Sequence, residues 1–204
     1  MSTHKPKQDP RITRTHQLLQ DALLDLIRER GFDKLTVQQI AERATLNRAT
    51  FYLHYRDKHD LLQQGMDEVL QQLVNNIRSQ TESERVDFRK DKPHPTFTRM
   101  FEHIQQHSKY YQVILAEQKI PHFMTRMTEV LSDFASEGIS AVESESEAYH
   151  LTVPKEMAVR YAASAFLGVI IWWLEQDMPY SPKYMAANLM KLVIKGPYLN
   201  SPFQ

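Results

Sequence analysis

Four side chains with hydrogen-bonding heads, Arg48, Thr50, Tyr52 and His54, fall within the nine residues NRATFYLHY. On a helix, Arg48 and Tyr52 are four residues apart and share a face, and Ala49 and Thr50 lie close to it. A guanidinium can donate twice to the edge of guanine, and the methyl groups of Ala49 and Thr50 can contact thymine methyls. The phenol of Tyr52 and the imidazole of His54 suit phosphate or sugar. This face therefore has the chemistry to read a major groove.

Such a face requires a short helix that is held firmly by its neighbours. Asn47 is a good N-cap for it. A preceding helix is predicted to begin after Thr36, because Thr36 and Gln39 have the spacing of a capping box. The turn Thr45-Leu46 joins the two helices, and helix, tight turn and short helix make a helix-turn-helix. A simpler interpretation is that the aromatic residues of the short helix merely cover the edge of a core.

Two longer helices flank this pair. The first is predicted over Arg11–Arg30, and Gly31 stands where a left-handed C-cap is needed. The other is capped by Asp57 and carries one apolar stripe from Leu61 to Ile77. Lys58, at the start of that helix, adds a positive charge beside unpaired backbone donors and is predicted to hold a phosphate.

The rest of the chain also reads as helices, joined by polar segments. A polar loop is expected over residues 79–95, and a frayed helix end with a loop over Ser136–Glu147. The predicted helices cover Thr96–His107, Lys109–Gln118, a segment opening at Pro121, Pro154–Gln176, and a last one that starts at Ser181-Pro182 and stops at Gly196-Pro197.

Composition narrows the class of protein. The chain has five glycines, no cysteine and few strand-like runs, which favours an all-α fold without disulfides or thiolate metal sites. The net charge is zero, but residues 1–60 carry 11 Lys/Arg against 8 Asp/Glu and the remainder carries 14 against 17. The slight basic excess at the N-terminus permits contact with nucleic acid without requiring it. The absence of a signal-peptide pattern favours the cytoplasm.

The run LTVQQIAERATLNRATFYLHYRDKHDLL resembles the DNA-binding domain of the TetR/AcrR family of transcriptional regulators. The T-F-Y-x-H-Y-x-x-K core of that family stands here from Thr50 to Lys58. The tail AFLGVIIWWLEQDMPYSPKYMAANLMKLV resembles the end of the C-terminal domain in the Firmicutes-type subgroup. The resemblance implies an N-terminal three-helix helix-turn-helix DNA-binding domain with a basic arm, residues 1–60. It also implies a C-terminal helical ligand-binding and dimerisation domain, residues 61–204.

Carried over position by position, the resemblance implies two sets of DNA contacts. The backbone is contacted by Thr36, Tyr52, His54 and Lys58, and the bases by Arg48, Ala49, Thr50 and, from the second helix, Gln38. This chain departs from the family in the turn, where Thr45 replaces the usual glycine. A β-branched residue at positive φ is strained, so the turn is expected to differ slightly.

The C-terminal domain is expected to form a homodimer and to hold a small-molecule effector, as family members do. Small and apolar residues of the last two helices form the expected dimer interface: Ala162, Ala165, Gly168, Tyr184, Leu189 and Leu192. The pool from which pocket-lining residues are expected is Phe97, Phe101, Ile104, Tyr110, Tyr111, Phe123, Met127, Tyr161, Trp172 and Trp173. Such aromatic stripes are also typical of plain core.

The favoured function is therefore a homodimeric repressor that leaves a near-palindromic double-stranded DNA operator when an effector binds. The alternative is a DNA-binding co-activator or adaptor whose C-terminal domain binds a protein and no small ligand. No nucleophile with a base and no glycine-rich phosphate loop is present, so neither catalysis nor a cofactor is expected. His103 and His107 share a helix face, but without the glutamate of the metalloprotease motif no metal is expected. The 14-residue apolar run Tyr161–Leu174 is too short to predict a membrane span.

Overall fold

The computed structural model describes residues 9–78, 95–118, 120–145 and 151–195. Every regular element in these ranges is helical, which confirms the all-α class. The helices are α1 (Pro10–Arg30), α2 (Val37–Arg43), α3 (Arg48–His54), α4 (Lys58–Arg78), α5 (Pro95–Gln106), α6 (Ser108–Tyr111) with a π-helical continuation (Gln112–Glu117), α7 (Pro121–Glu145), α8 (Lys155–Glu175) and α9 (Pro182–Lys195). The chain divides into two compact units, Met1–Glu68 and Val69–Gln204, so the division falls within α4 and later than residue 60.

Side-chain caps start the helices of the N-terminal unit. Thr36 Oγ1 accepts from the Gln39 backbone N–H at 3.3 Å, and Gln39 Oε1 accepts from the Thr36 backbone N–H at 3.0 Å. Asn47 Oδ1 accepts from the Thr50 backbone N–H at 2.7 Å. Asp57 Oδ1 accepts from two backbone N–H groups in the first turn of α4, at 2.8 and 2.9 Å. All three predicted caps are confirmed.

Two backbone positions at positive φ shape the connections. Gly31 ends α1 at φ 75° and ψ 153°, a region open essentially to glycine alone. A left-handed helical C-cap was expected at this position, but the ψ angle is extended instead. Thr45 in the turn between α2 and α3 has φ 58°. There the Leu46 backbone N–H donates to the Ala41 carbonyl at 2.9 Å. The strain expected at Thr45 is thus present in the turn that aims α3.

The core of the N-terminal unit lies where α1 and α3 pack on α2. Phe51 is fully buried and Tyr55 is 2% exposed, so both point away from the outward face of α3, as predicted. Other side chains buried in this unit include Leu19, Leu23, Leu26, Ile27, Ile40, Ala41 and Ala44. Phe51 within the seven-residue α3 and Tyr55 at its C-cap therefore anchor the helix so that its opposite face is directed toward solvent.

In the C-terminal unit α7 packs on α8 and α5 packs on α9. A single helix was predicted over Lys109–Gln118, but α6 widens after Tyr111 into a π-helix. Four consecutive residues, Val113 to Ala116, are buried there. Four successive residues span most of a helical turn, so this segment must be enclosed on most sides, and it contacts both α7 and α8.

Helix α7 is longer than the sequence suggested, since it runs to Glu145 where fraying was expected from Ser136. Serine hydroxyls on this stretch bond within the helix: Ser140 Oγ donates to the Ser136 carbonyl at 2.8 Å. Lys155 Nζ also donates to Ser140 Oγ at 2.7 Å. The polar side chains are therefore satisfied locally and do not compete with the helical backbone.

Helix α8 follows Pro154 and leads to α9 through a turn with Asp177 and Met178 both at φ 55°. Gln112 Nε2 donates to Asp177 Oδ1 at 3.1 Å, and Trp173 Nε1 donates to the Tyr180 carbonyl at 3.0 Å. By length and hydropathy α8 could cross a membrane, which by itself is weak evidence, and only 28% of its most apolar window is buried.

Several predictions fall outside the described residues. They are the leading part of the basic N-terminal arm, the loop of residues 79–94, the end of the Ser136–Glu147 segment and the helix stop at Gly196-Pro197.

Candidate nucleic-acid interface

The outward face of α3 presents a guanidinium, a methyl group and a phenol at helical spacing. Arg48 and Ala49 are exposed, and Tyr52 is 47% exposed. Arg48 Nη2 donates to the Tyr52 hydroxyl at 3.1 Å, and the guanidinium carbon lies 5.3 Å from the centroid of that ring. A guanidinium has five N–H donors, so this contact steadies Arg48 while leaving donors for a guanine edge.

The polar atoms of Thr50 serve the cap of α3. Its backbone N–H and its hydroxyl both lie within hydrogen-bond distance of Asn47 Oδ1, at 2.7 and 3.0 Å. A hydroxyl engaged in this way can no longer donate to a base, although it can still accept, and the methyl can contact a thymine methyl. The structure therefore favours an apolar role for Thr50.

Leu53 is the most exposed apolar side chain on α3, at 80%, and sequence reasoning passed over it. It lies four residues after Ala49, so the two form an apolar strip beside the Arg48 and Tyr52 pair. A leucine left so exposed next to hydrogen-bonding groups is suited to thymine methyls or to sugar. The i, i+4 spacing from Ala49 is the signal that could have identified it.

The residues expected to contact DNA from α2 are exposed at its first turn. The Thr36 hydroxyl accepts from the backbone as a cap, and its own hydrogen remains able to donate. Gln38 is exposed and donates through Nε2 to Glu42 Oε1 at 2.9 Å. A base contact by Gln38 would therefore compete with this pair.

Lys58 is placed differently from the prediction of an open phosphate clamp. Its Nζ donates to the carbonyl of Phe32 at 3.1 Å and to the carbonyl of Asp33 at 2.9 Å, and lies 4.8 Å from the Phe32 ring centroid. An ammonium has three donors, and two are used here. Lys58 thus ties the connector between α1 and α2 to the start of α4, with one donor left.

His54 is held by a second histidine that sequence reasoning missed. Its Nδ1 lies 3.2 Å from His16 Nε2 on α1, and the two rings meet edge to face with centroids 4.9 Å apart. Burial lowers the pKa of His16, the neighbouring His54 lowers it further, and Glu68 acts in the opposite direction. Because 38 residues separate the two, no local pattern could reveal the contact.

Neutral and anionic groups complete the surroundings of α3. Burial, with Glu68 and Asp60 nearby, raises the pKa of Tyr55 to about 12, so its phenol stays neutral. The backbone N–H of Arg56 and the side chains of Gln64 and Arg56 hold the pKa of Asp60 at about 2. Asp60 is therefore a fixed negative charge beside the end of α3.

In the C-terminal unit most of the expected pocket residues are packed as core. Buried are Phe97, Phe101, Ile104, Tyr110, Tyr111, Phe123, Met127 and Trp173. Tyr161 is 74% exposed and Trp172 is 45% exposed, which differs from the enclosed position expected of pocket-lining residues. Both lie on faces of α8 that turn away from the core.

One buried polar group in this core, the Tyr111 hydroxyl, has no hydrogen-bond partner among the described residues. His103 is 1% exposed, and its Nδ1 lies 3.0 Å from Asn76 Nδ2 on the second half of α4. Burial, followed by the charge of His107, lowers the pKa of His103 to about 4, and a hydrogen bond with the Val69 backbone acts in the opposite direction. Buried polar groups are normally satisfied, so the Tyr111 hydroxyl marks a place where a water or ligand could bind.

The expected dimer residues are mostly accessible. Gly168, Tyr184 and Leu192 are exposed, and Ala162 and Ala165 are half-buried. Leu189 is only 2% exposed and is buried within its own protomer, unlike the other residues expected at the interface. Trp172, Tyr180 and Tyr184 form an exposed stack with centroid distances of 6.2 and 4.6 Å.

Within residues 9–78, 95–118, 120–145 and 151–195, no three His, Asp or Glu side chains are grouped so that they could hold a metal ion. The His103 and His107 rings lie 4.4 Å apart without a third such group.

Family models match both parts of the chain. Residues 19–64 match the model described as "Bacterial regulatory proteins, tetR family". Residues 91–195 match the model described as "Transcriptional regulator C-terminal region". The boundaries place α2, α3 and the start of α4 in the first match, and α5 to α9 in the second.

Individual proteins agree with these matches. The uncharacterised HTH-type transcriptional regulator YxbF of Bacillus subtilis is 22% identical over 178 residues, which are 86% of this chain and 43% of that protein. The chain spans less than half the length of each of the curated relatives it matches.

Solved structures share the fold. FadR of Bacillus subtilis in complex with stearoyl-CoA has a TM-score of 0.65 at 18% identity, covering 90% of this chain and 100% of that one. The dihydroxyacetone kinase operon activator DhaS has a TM-score of 0.59 at 17% identity, with 88% and 93% covered.

Proposed function

Since the chain belongs to the TetR family of bacterial transcriptional regulators, we propose that it is a homodimeric repressor that binds a near-palindromic operator and is released by a small-molecule effector. The observation that carries this proposal is the outward face of α3. Arg48, Ala49, Tyr52 and Leu53 are exposed there on a helix fixed by its cap and by buried Phe51. Such a face fits a major groove about 12 Å wide.

Roles follow for the individual side chains. Arg48 donates to a guanine, Ala49 and the Thr50 methyl contact thymine methyls, and Tyr52 and His54 hold the backbone. Thr36 and the third donor of Lys58 add phosphate contacts at the starts of α2 and α4. Gln38 contacts a base edge when its hydrogen bond to Glu42 is broken. Because each protomer offers one such face, a two-fold dimer reads two half-sites.

The surface of α8 and α9 supports the dimer. Helix α8 is apolar along most of its length, yet only 28% of its most apolar window is buried. Contiguous exposed apolar side chains of this kind mark interaction sites. The residues concerned are Tyr161, Trp172, Tyr180, Tyr184, Leu192 and Val193. A second copy of the chain would bury these apolar side chains in the cytoplasm, so their exposure in one protomer does not require a membrane.

The effector is proposed to be largely apolar with a polar group. The buried aromatic core of the C-terminal unit suits an aliphatic or aromatic body. The unpartnered Tyr111 hydroxyl, with the His103 ring 5.9 Å from the Tyr111 ring, suits one hydrogen-bonding group. The FadR structure in complex with stearoyl-CoA makes long-chain acyl thioesters and fatty acids the first compounds to test.

Helix α4 is proposed to transmit the effector signal. It is one continuous helix from Lys58 to Arg78 and contributes to both compact units. An effector that takes the His103 imidazole would compete for Asn76 on that helix. A flexible glycine insertion next to Asn75 should then uncouple effector binding from DNA release, and unchanged release would argue against α4 as the transmitter.

The experiment that tests DNA reading is selection of fragments from a random duplex library at near-physiological salt. Wild type should yield a near-palindromic motif. Arg48→Ala should yield a motif relaxed at one symmetric position, while Arg126→Ala, which removes the same charge from α7, should leave the motif unchanged. Recovery of no motif by wild type would contradict the proposal.

The alternative function is a DNA-binding co-activator or adaptor whose C-terminal unit binds a protein. The exposed Trp172, Tyr180 and Tyr184 stack favours it, as does the structural similarity to the operon activator DhaS. A thermal-shift screen without any stabilising compound, together with capture of one partner that Tyr184→Ala abolishes, would support this alternative. Neither function includes catalysis.

A further inference from the structure

His16 and His54 share a hydrogen bond that can hold only one hydrogen. His16 Nε2 and His54 Nδ1 are 3.2 Å apart, so one nitrogen donates and the other accepts. Both rings are half-buried, and α1 and α3 hold them edge to face. The protonation state of one imidazole therefore fixes the tautomer of the other.

This coupling decides what His54 can do at its remaining nitrogen. When Nδ1 accepts from His16, the neutral His54 ring carries its hydrogen on Nε2 and can donate to a phosphate oxygen. When a neutral His54 donates through Nδ1, its Nε2 carries a lone pair that repels phosphate. His16 is the only group for which the structure gives a hydrogen bond to either ring nitrogen of His54 within the described residues.

The first and the second proton added to the pair have opposite effects on the contact of His54 with phosphate. One added proton gives a cation in which His54 donates from Nδ1 to His16 and from Nε2 to phosphate, a charge-assisted contact. A second proton places N–H groups on both facing nitrogens, and two like charges 3.2 Å apart separate the rings. The pair thus has one proton count that suits DNA best.

One carboxylate beside the pair opposes the effect of burial, which lowers the pKa of His16. Glu68 on α4 faces the pair, and its Oε2 accepts from Gln20 Nε2 at 3.3 Å. The Tyr55 ring lies 5.2 Å from the His16 ring and remains neutral, with Asp60 and Glu68 both acting on it. The groups that face the pair from α1, α3 and α4 therefore include one carboxylate able to balance one imidazolium.

We propose that His16 is a positioning residue that sets His54 on a DNA phosphate, and that the pair binds DNA with one shared proton and loses the phosphate contact when it takes up two. This inference rests on the proposed operator binding. It makes operator affinity rise and then fall as the pH is lowered from 8.5 to 5.5.

The test is operator affinity at fixed salt across that pH range for the wild-type chain, two variants of His16 and one control variant. His16→Gln replaces the ring by an amide that can donate to His54 without titrating, so the loss of affinity on the acid side should vanish. His16→Phe keeps a ring but no donor and should weaken binding about tenfold near neutral pH. His122→Gln, an exposed histidine on α7, serves as the control.

Nitrogen-15 NMR of the histidine rings in the free protein gives an independent readout. It should show coupled titration of His16 and His54 in wild type, and a His54 ring protonated at Nε2 in His16→Gln, whether or not His16→Phe folds. An identical pH profile in wild type and His16→Gln, or independent titration of the two rings, would overturn the inference. If wild type selects a DNA motif in either case, the proposed function stands and only the role of His16 fails.

Discussion

At the scale of single residues, Thr45 places a β-branched side chain in a backbone region that such residues rarely occupy. Its φ of 58° lies in the turn between the two helices that position the reading face. The side chain is exposed, so the strain is not offset by burial. This residue stabilises the geometry of the turn less than a glycine would.

Thr45→Gly should therefore raise the free energy of unfolding. Relief of a left-handed conformation gains about 1–2 kcal/mol, and the more flexible unfolded chain returns up to about 1 kcal/mol, so a net gain of about 0.5–1 kcal/mol is expected in urea unfolding. Ala44→Gly, at φ −74° next to it, should instead destabilise by a similar amount. Equal effects of the two substitutions would contradict the strain at Thr45.

Lys58 has a structural role that can be separated from any phosphate contact. Lys58→Ala removes a donor from the Asp33 carbonyl and leaves the Phe32 carbonyl with the Leu35 backbone N–H, and it should lower the free energy of unfolding by about 1–2 kcal/mol. Lys34→Ala removes an exposed lysine from the same connector and should change it little. Weaker DNA binding by Lys58→Ala with unaltered stability would identify a pure phosphate contact instead.

At the scale of elements, α5 is joined to the second half of α4 through His103 and Asn76. His103 is held neutral, with its pKa lowered to about 4 by burial. Between pH 6.5 and about 4 the unfolded chain therefore binds a proton that the folded chain refuses. The stability is fully present above pH 6.5 and declines as the pH falls toward 4.

The expected loss over that range is roughly 2–4 kcal/mol from this one group. Urea unfolding of His103→Gln at a series of pH values should show a shallower decline than wild type. His122→Gln, at an exposed position on α7, should retain the wild-type slope. Parallel curves for wild type and His103→Gln would mean that His103 is solvated in the folded protein.

Sequence reasoning succeeded at the element ends, where interactions are local. The Thr36 and Gln39 capping box, the Asn47 cap and the Asp57 cap all join residues within three positions. It failed where distant packing decides. The π-helix, the exposure of Tyr161 and the contact of His16 with His54 depend on which helix lies opposite, and a helical period carries no such information.

At the scale of the whole molecule, a homodimer requires a surface that one protomer does not need for itself. Gly168 on α8 is exposed, and a Cβ added there would meet no atom of the protomer within 4 Å. A single protomer could therefore accommodate a larger residue at this position. A partner helix that approaches Gly168 closely would exclude a larger residue.

Gly168→Trp should dissociate the dimer while the protomer stays folded. Helix propensity alone favours the substitution by a few tenths of a kcal/mol, so the helical circular dichroism should be retained. Sedimentation at micromolar concentration should show a monomer for Gly168→Trp. The dimer should persist for Gly138→Trp, whose glycine on α7 is likewise open within the protomer. A dimeric Gly168→Trp would place the interface elsewhere.

Reading of DNA by the outward face of α3 is tested most directly by one set of affinities. Wild type and Arg48→Ala are titrated, at one salt concentration, with the selected operator and with operators changed at one symmetric pair of positions at a time. Wild type should discriminate a guanine at one pair by about 10- to 100-fold, and Arg48→Ala should lose discrimination at that pair alone. Loss of affinity by the same factor for every operator would mean that Arg48 contacts only the backbone, and would contradict base reading by this residue.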